Sequence, residues 1–244
     1  MKYELVKYGV TDSTNKRAKE YAKKRDTGCH LPVVFIADGQ TAGRGRLGRS
    51  FHSEAGVGIY ISFLTYPDLS PSDATAVTAY AAVKLCRAIS AFTDADCRIK
   101  WVNDLTVNGK KLAGILTEGE ISADGRLSYC VCGIGLNLYK SEMPEELSAI
   151  ATSLEEVTGV RVDKEALTKR LIEEFLSDGD YRSSDVLEEY RKRSSVLGKR
   201  ITVHAPSGTY PAVAREILDD YSLLIETDRG ERRRIYTGEI SIRL

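Results

Sequence analysis

Two periodicities of apolar and polar positions alternate along this chain, and the switches between them mark out its elements. Tyr3 to Val10 predicts a first strand, followed by Thr11-Asp12-Ser13-Thr14-Asn15 and a polar helix to about Arg25. Ser, Thr and Asp at that point are ordinary helix N-caps, and their hydroxyls and amides can equally line a pocket at the helix start. Strands are predicted at 33–37 and 57–66, separated by a loop. Pro71 to Phe92 carries Ala74, Val77, Ala81, Leu85 and Ile89 at helical spacing, which predicts a long helix backing the sheet.

Residues Arg98 to Leu138 are rich in β-branched residues. Asn108-Gly109 between two apolar runs is a type I′ hairpin signal, and Asp124-Gly125 is read as a second, so a meander of antiparallel strands is the economical arrangement. Helices follow at 152–157, 164–176 and 185–193. From Leu197 the character changes to five short strands at 201–203, 210–217, 222–226, 232–236 and 239–244, punctuated by Pro206-Ser207-Gly208, Asp219-Asp220, Asp228-Arg229-Gly230 and Gly238. That spacing suggests a small closed barrel, and hence a boundary between residues 1–195 and 196–244.

A length of 244 residues suffices for a substantial core, and 35 basic against 35 acidic residues give a formal net charge of zero. A protein that coats nucleic acid through bulk charge is disfavoured. The N-terminus has no apolar signal segment and no run of about 18 apolar residues occurs, so a soluble, cytoplasmic protein without membrane contact is expected. Five cysteines without a CxxC pair argue against a disulfide framework or a zinc site, and Cys130 and Cys132 are read as buried thiols on one face of a strand. His30, His52 and His204 are scattered, without metal-ligand spacing.

Against this neutral background one stretch is local and cationic. After the strand at Val33 come Gly43, Gly45 and Gly48 interleaved with Arg44, Arg46 and Arg49, and no acidic residue appears until Glu54. Glycines allow close backbone approach and arginines present a fixed fork of donors to carboxylate or phosphate, although a solvated surface loop has the same composition. The Gly43-x-Gly45-x-x-Gly48 spacing matches a dinucleotide fingerprint, but that needs a helix to open at the loop, and a strand follows instead. An anion must therefore be held by side chains and loop amides.

Three more stretches break the apolar pattern: Lys100-Trp101-Val102-Asn103-Asp104, Lys110-Lys111-Leu112-Ala113-Gly114 and Gly133-Ile134-Gly135-Leu136-Asn137. In order, GRGRLGR (43–49), KWVNDL (100–105), KLAGIL (111–116) and GIGLNL (133–138) resemble the signature motifs of biotin protein ligases. The resemblance extends to Asp12-Ser13-Thr14-Asn15, Gln40 and the terminal Gly238-Glu239-Ile240-Ser241. It implies an α+β fold of the class II synthetase-like biotin/lipoate ligase type: a mixed or antiparallel β-sheet catalytic domain backed by helices, plus a small C-terminal SH3-like β-barrel. It corresponds to the short form, without the N-terminal helix-turn-helix that some members use to repress transcription, so no DNA binding is expected.

The resemblance implies a reaction in two steps, with biotin, ATP and Mg²⁺ as substrates and no prosthetic group. Biotin and ATP give biotinyl-5′-AMP, and a lysine of a biotin carboxyl carrier protein then takes the biotinyl group. Matched to the motifs, Ser13, Thr14, Asn15, Gln40 and Gly43 belong to the biotin site, with Trp101 as a wall. Arg44, Gly45, Arg46 and Lys111 surround the carboxylate and α-phosphate, Gly114 allows close backbone approach, and Lys111, Arg46, Arg44 and Asp104 are the catalytic candidates. Arg49, Phe51, Lys100, Asn103, Asp104 and Asn137 join Arg46 and Lys111 on the ATP side, with Mg²⁺ placed near Asp104.

Two departures from the family pattern matter: Val102 replaces a proline, and Phe51 stands where a larger Trp often stacks on adenine. Homodimers by edge-strand pairing occur in the family. The competing readings are a lipoate or octanoate ligase of the same superfamily, and a nucleic-acid-binding protein whose arginine loop contacts phosphates.

Overall fold

The computed structural model describes residues 2–25, 30–142, 144–205, 208–236 and 239–242. Seven strands form the main sheet: Glu4–Thr11 (β1), Val33–Gln40 (β2), Gly58–Thr65 (β3), Arg98–Lys100 (β4), Asp104–Val107 (β5), Lys110–Ile121 (β6) and Leu127–Asn137 (β7). Their spatial order is β1-β2-β3-β7-β6-β5-β4. β1 and β2 are parallel, which requires a crossover, and the helix Thr14–Lys24 (α1) supplies it. Every other neighbour in the sheet is antiparallel. The sheet is therefore mixed, with the β4 to β7 meander on one side.

Both faces of the sheet are covered, which is why β3 at its centre reads GIYISFLT and is buried along its whole length. Alternate residues serve different layers. Ile59, Ile61 and Phe63 join Cys130, Cys132 and Ile134 in the large core beneath the long helix Ala74–Ser90 (α2), whereas Leu64 packs with Val33, Phe35, Val131 and Ala18 beneath α1. A short 3₁₀ turn, Pro71–Asp73, precedes α2. The remaining helices are Glu145–Ser148 (α3), Leu154–Thr158 (α4), Lys164–Phe175 (α5) and Ser184–Arg193 (α6); α3 is a single turn that the apolar pattern does not announce. Lys84 of α2 is only 2 % exposed and reaches Asp178 at 2.9 Å, anchoring α2 to the segment after α5.

The hairpin signals differ in outcome. Asn108 and Gly109 both have positive φ, 51° and 78°, as a type I′ turn requires. At the second, only Gly125 does, and the loop is longer: Ser122 N donates to Arg126 O and Gly125 N to Ser122 O. The two-residue turn read at Asp124-Gly125 is thus corrected to a five-residue loop, with a bulge in the ladder at Glu120/Ile121.

At the C-terminus lie Arg200–Ala205 (β8), Gly208–Ile217 (β9), Leu223–Thr227 (β10), Arg232–Ile235 (β11) and Glu239–Ile242 (β12). They form an antiparallel sheet in the order β11-β10-β9-β8-β12, and its outer strands β11 and β12 are not paired among the described residues. The described residues show a five-stranded antiparallel sheet, and no pairing among them joins its two outer strands into the expected barrel. Its apolar side, including Ile201, Val203 and Ala214, continues the large core rather than forming a separate one. Trp101 Nε1 donates to Tyr221 O at 2.9 Å across this junction. Cys86, Cys97, Cys130 and Cys132 are buried free thiols, and burial pushes the Cys132 thiol up to about 12. Cys29, Pro206, Ser207 and Gly238 lie outside the described residues.

Candidate active site

A cavity of about 400 Å³ opens on the α1 side of the sheet. Its floor follows from strand register. Ser62 of β3, Gly133 of β7 and Leu116 of β6 lie abreast on one row, and Tyr60, Gly135 and Gly114 lie abreast on the next. The first row sits beneath the start of α1. A Cβ on Gly133 would lie 2.0 Å from Asn15 Oδ1, so only glycine admits that side chain. The second row sits beneath the loop: a Cβ on Gly135 would lie 2.5 Å from the Phe51 ring, and one on Gly114 would lie 3.1 Å from Lys111 Nζ and 3.3 Å from Phe51.

One end of the cavity is uncharged and hydrogen-bonded. Ser13, Thr14 and Asn15, all nearly buried, are brought there by the β1 to α1 turn and meet Gln40 at the end of β2. Thr14 N donates to Gln40 Oε1 at 2.8 Å, and Gln40 Nε2 donates to Ser53 Oγ at 3.0 Å. Asn15 Nδ2 donates to Leu116 O and Glu118 Oε2 at 3.1 and 2.9 Å. The Ser13 hydroxyl makes no capping bond and borders the cavity.

The other end is cationic. Among the described residues, Arg44, Arg46, Arg49, Lys100 and Lys111 line it against a single carboxylate, Asp104. The loop is shaped by Gly45 N donating to Arg49 O at 2.7 Å and Phe51 N to Gly43 O at 2.9 Å, with one 3₁₀ turn at Arg46–Gly48. It then enters β3, so no helix opens where a dinucleotide fingerprint needs one. Arg46 Nη1 donates to Asn103 Oδ1 at 3.1 Å, and Asn103 Nδ2 to Ile115 O at 3.0 Å, which pins the loop to the β5–β6 pair. Lys111 Nζ stands 2.7 Å from Asp104 Oδ1, a charge contact off the hydrogen-bond direction, since that buried oxygen has no hydrogen-bond partner.

Two sequence-predicted residues stand apart from this cavity. Gly43 packs at the loop base, where a Cβ would lie 2.4 Å from Phe51 O. Asn137 is engaged elsewhere: its Nδ2 donates to Thr152 O at 3.0 Å. Neither is among the residues that line the cavity. Trp101 does line it while also tying the site to the C-terminal sheet.

The structure adds residues that the motifs do not name. Ser62 is fully buried and touches Thr14 and Asn15; its polarity inside an apolar strand was the available signal. Glu118 binds Asn15 and Lys19, with Arg44 4.0 Å away. Burial pushes the Glu118 carboxyl up, but Lys19, Asn15 and Arg44 outweigh it and hold it below the usual carboxylate range. His204 brings the C-terminal sheet to the cavity wall, a long-range placement with no local signal, and Ile240 of the terminal stretch matched to the family joins it.

A cavity with hydrogen-bonding groups at one end and converging cations at the other suits a class of enzyme that seats a neutral polar head and brings a carboxylate against phosphate. Residues 8–137 match the model of the biotin/lipoate A/B protein ligase family, and the chain belongs to that family. It is 32 % identical over 251 residues to the bifunctional ligase/repressor BirA of Bacillus spizizenii, covering 99 % of this chain and 75 % of that one. It is 31 % identical over 202 residues to the biotin–[acetyl-CoA-carboxylase] ligase of Mycobacterium tuberculosis, covering 80 % of this chain and 73 % of the other. Among solved structures, the biotin protein ligase from Aquifex aeolicus in complex with biotin and ATP superposes with a TM-score of 0.76 at 28 % identity, covering 98 % of each chain.

Proposed function

We infer that this chain is a biotin protein ligase that activates biotin with ATP and transfers it to a lysine of a carboxylase's biotin carrier protein. The observation that carries the reading is the two-ended cavity on a chain of this family. In the first step a biotin carboxylate oxygen attacks the α-phosphorus, and the bond to the β-phosphate's bridging oxygen breaks, releasing pyrophosphate. In the second, the carrier lysine's amine attacks the acyl carbon and AMP leaves.

Placement around the cavity supports the following roles. Ser13, Thr14, Asn15 and Gln40 hold the ureido ring. Arg44, Arg46 and Lys111 offset the repulsion between carboxylate and triphosphate and stabilise charge that builds on the α-phosphate. Phe51 over the Gly114–Gly135 floor offers a face to adenine, and Lys100 and Arg49 extend the cationic wall. Mg²⁺ would enter with ATP, and Asp104, a carboxylate lining the cavity, would help to hold it and so offset charge on the phosphates.

The wider reading comprises a division at 195/196, an SH3-like barrel built from the C-terminal strands, a homodimer through a sheet edge, and a cytoplasmic enzyme without DNA binding. It is supported by the short antiparallel strands, the outer position of β1 in the sheet and the zero net charge. The test is intact-mass analysis of a biotin carrier domain incubated with the protein, ATP and biotin. One biotinyl adduct that requires ATP is expected; no adduct, or one formed only with lipoate or octanoate, overturns the reading.

A further inference from the structure

Ser62 is fully buried at the middle of β3, and the hydrogens around it can be assigned from the heavy atoms alone. Asn15 comes first. Its amide nitrogen faces two acceptors, Leu116 O and a Glu118 carboxylate oxygen; a flipped amide would set oxygen against both, so Oδ1 must face Ser62. Ser62 Oγ lies 2.6 Å from that Oδ1. An amide oxygen has no hydrogen to give, so the single hydroxyl hydrogen of Ser62 is committed to Asn15.

The consequence passes to Thr14. Its Oγ1 lies 2.7 Å from Ser62 Oγ and 3.2 Å from Gln40 Oε1. With the Ser62 hydrogen spent, the 2.7 Å contact is a hydrogen bond only if Thr14 donates. Gln40 Oε1 loses little by this, because the Thr14 backbone N–H already reaches it at 2.8 Å. The Thr14 hydroxyl then has no hydrogen left and can present only lone pairs to the cavity it lines.

We propose that Ser62 is a positioning residue that locks the Thr14 hydroxyl as an acceptor, so that the site selects a ring N–H at that point. This rests on the biotin reading, in which the cyclic urea supplies the N–H. The relay Thr14 to Ser62 to Asn15, closed by Leu116 and Glu118, lies at the hydrogen-bonding end of the pocket, with Ser62 behind the lining, and touches no reacting atom. Its effect is on which ring the site accepts, not on phosphoryl chemistry.

The test uses pyrophosphate exchange by the full chain with biotin and with the two ring carbamates in which one or the other ureido N–H is replaced by oxygen. In the parent protein one carbamate should show KM raised about tenfold or more, because two acceptors then face each other. In Ser62→Ala the Thr14 hydroxyl can turn to donate, so the gap between that carbamate and biotin should shrink to about threefold, with kcat for biotin within about threefold of the parent. Ser62→Cys, which keeps a weak donor, should restore part of the gap. Equal KM for biotin and both carbamates in the parent overturns the proposal without any variant. An undiminished gap in folded Ser62→Ala also overturns it. Failure of the parent to exchange with biotin at all would instead remove the functional reading beneath it.

Discussion

Gly133 and Gly135 lie two apart on β7 and point into the same cavity, yet replacing each with alanine should damage a different substrate site. A Cβ on Gly135 would lie 2.5 and 2.8 Å from Phe51 Cε1 and Cζ. Carbon contacts are comfortable at about 3.5–4.0 Å, so the ring has to retreat by about 1 Å. Phe51 is half-buried and borne on a loop, so it can tilt, at the loss of a flat platform. Base stacking on an aromatic side chain is worth about 1–3 kcal/mol, which corresponds to a rise of about 5- to 150-fold in KM for ATP. A Cβ on Gly133 would lie 2.0 Å from Asn15 Oδ1, and Asn15 cannot retreat because Ser62, Leu116 and Glu118 all hold it. The start of α1 has to shift, carrying Ser13 and Thr14 with it, so KM for biotin should rise about tenfold or more while KM for ATP changes little. Initial rates of pyrophosphate exchange at varied biotin and varied ATP separate the two. A rise in biotin KM as large as that in ATP KM for Gly135→Ala would refute the assignment of the two floor rows.

Lys111→Ala should lower the adenylation rate by about 10²–10³-fold, the scale of one preorganised cation, while leaving the fold intact; single-turnover formation of biotinyl-AMP measures it. Arg46→Gly removes both a cation and the clamp on Asn103, so the variant should release biotinyl-AMP and label bystander lysines, detectable by blotting a mixture of unrelated proteins; tight retention of the intermediate would count against a closing role for the loop. Asp178→Asn leaves the Lys84 ammonium, 2 % exposed, without its counter-charge. Because Asp178 itself is half exposed, screening limits the loss to about 1–2 kcal/mol of thermal or denaturant stability, with exchange activity unchanged. Burial pushes the Asp178 carboxyl up, but Lys84 and Tyr80 outweigh it and hold it at about 2. A depressed carboxyl stabilises above its unfolded value and loses that contribution as pH falls through the folded one, so the parent and the asparagine variant should converge in stability between about pH 4 and pH 2.

Local features were readable because local chemistry determines them. Asn108-Gly109 makes the turn its two positive-φ residues allow, and the helical spacing from Ala74 to Ile89 marks α2. The second hairpin was misread in type because an Asp-Gly pair fits both a two-residue turn and a longer loop closed by Ser122 and Arg126, and the bulge at Glu120/Ile121 selects the longer one. Pairing of β3 with β7, about 70 residues away in sequence, has no local signature, although it creates the cavity floor. For the same reason Glu118 and His204 escaped notice: each reaches the site through register or through the C-terminal sheet. Ser62 was visible as a small polar residue in a buried strand, but its partners Thr14 and Asn15 come from a helix 48 and 47 positions away. Asn137, matched to the nucleotide side by its motif, donates from Nδ2 to Thr152 O, a partner from outside the sheet that its strand pattern does not announce.

The central claim is that the cationic end of this cavity joins a biotin carboxylate to the α-phosphate of ATP. Isotope exchange between pyrophosphate and ATP tests that step without any carrier, using the purified chain with biotin, lipoate, octanoate or no added acid. Exchange that requires biotin and is not supported by the other acids is the predicted result. Exchange driven by lipoate or octanoate in its place, or no exchange with any acid, would contradict it.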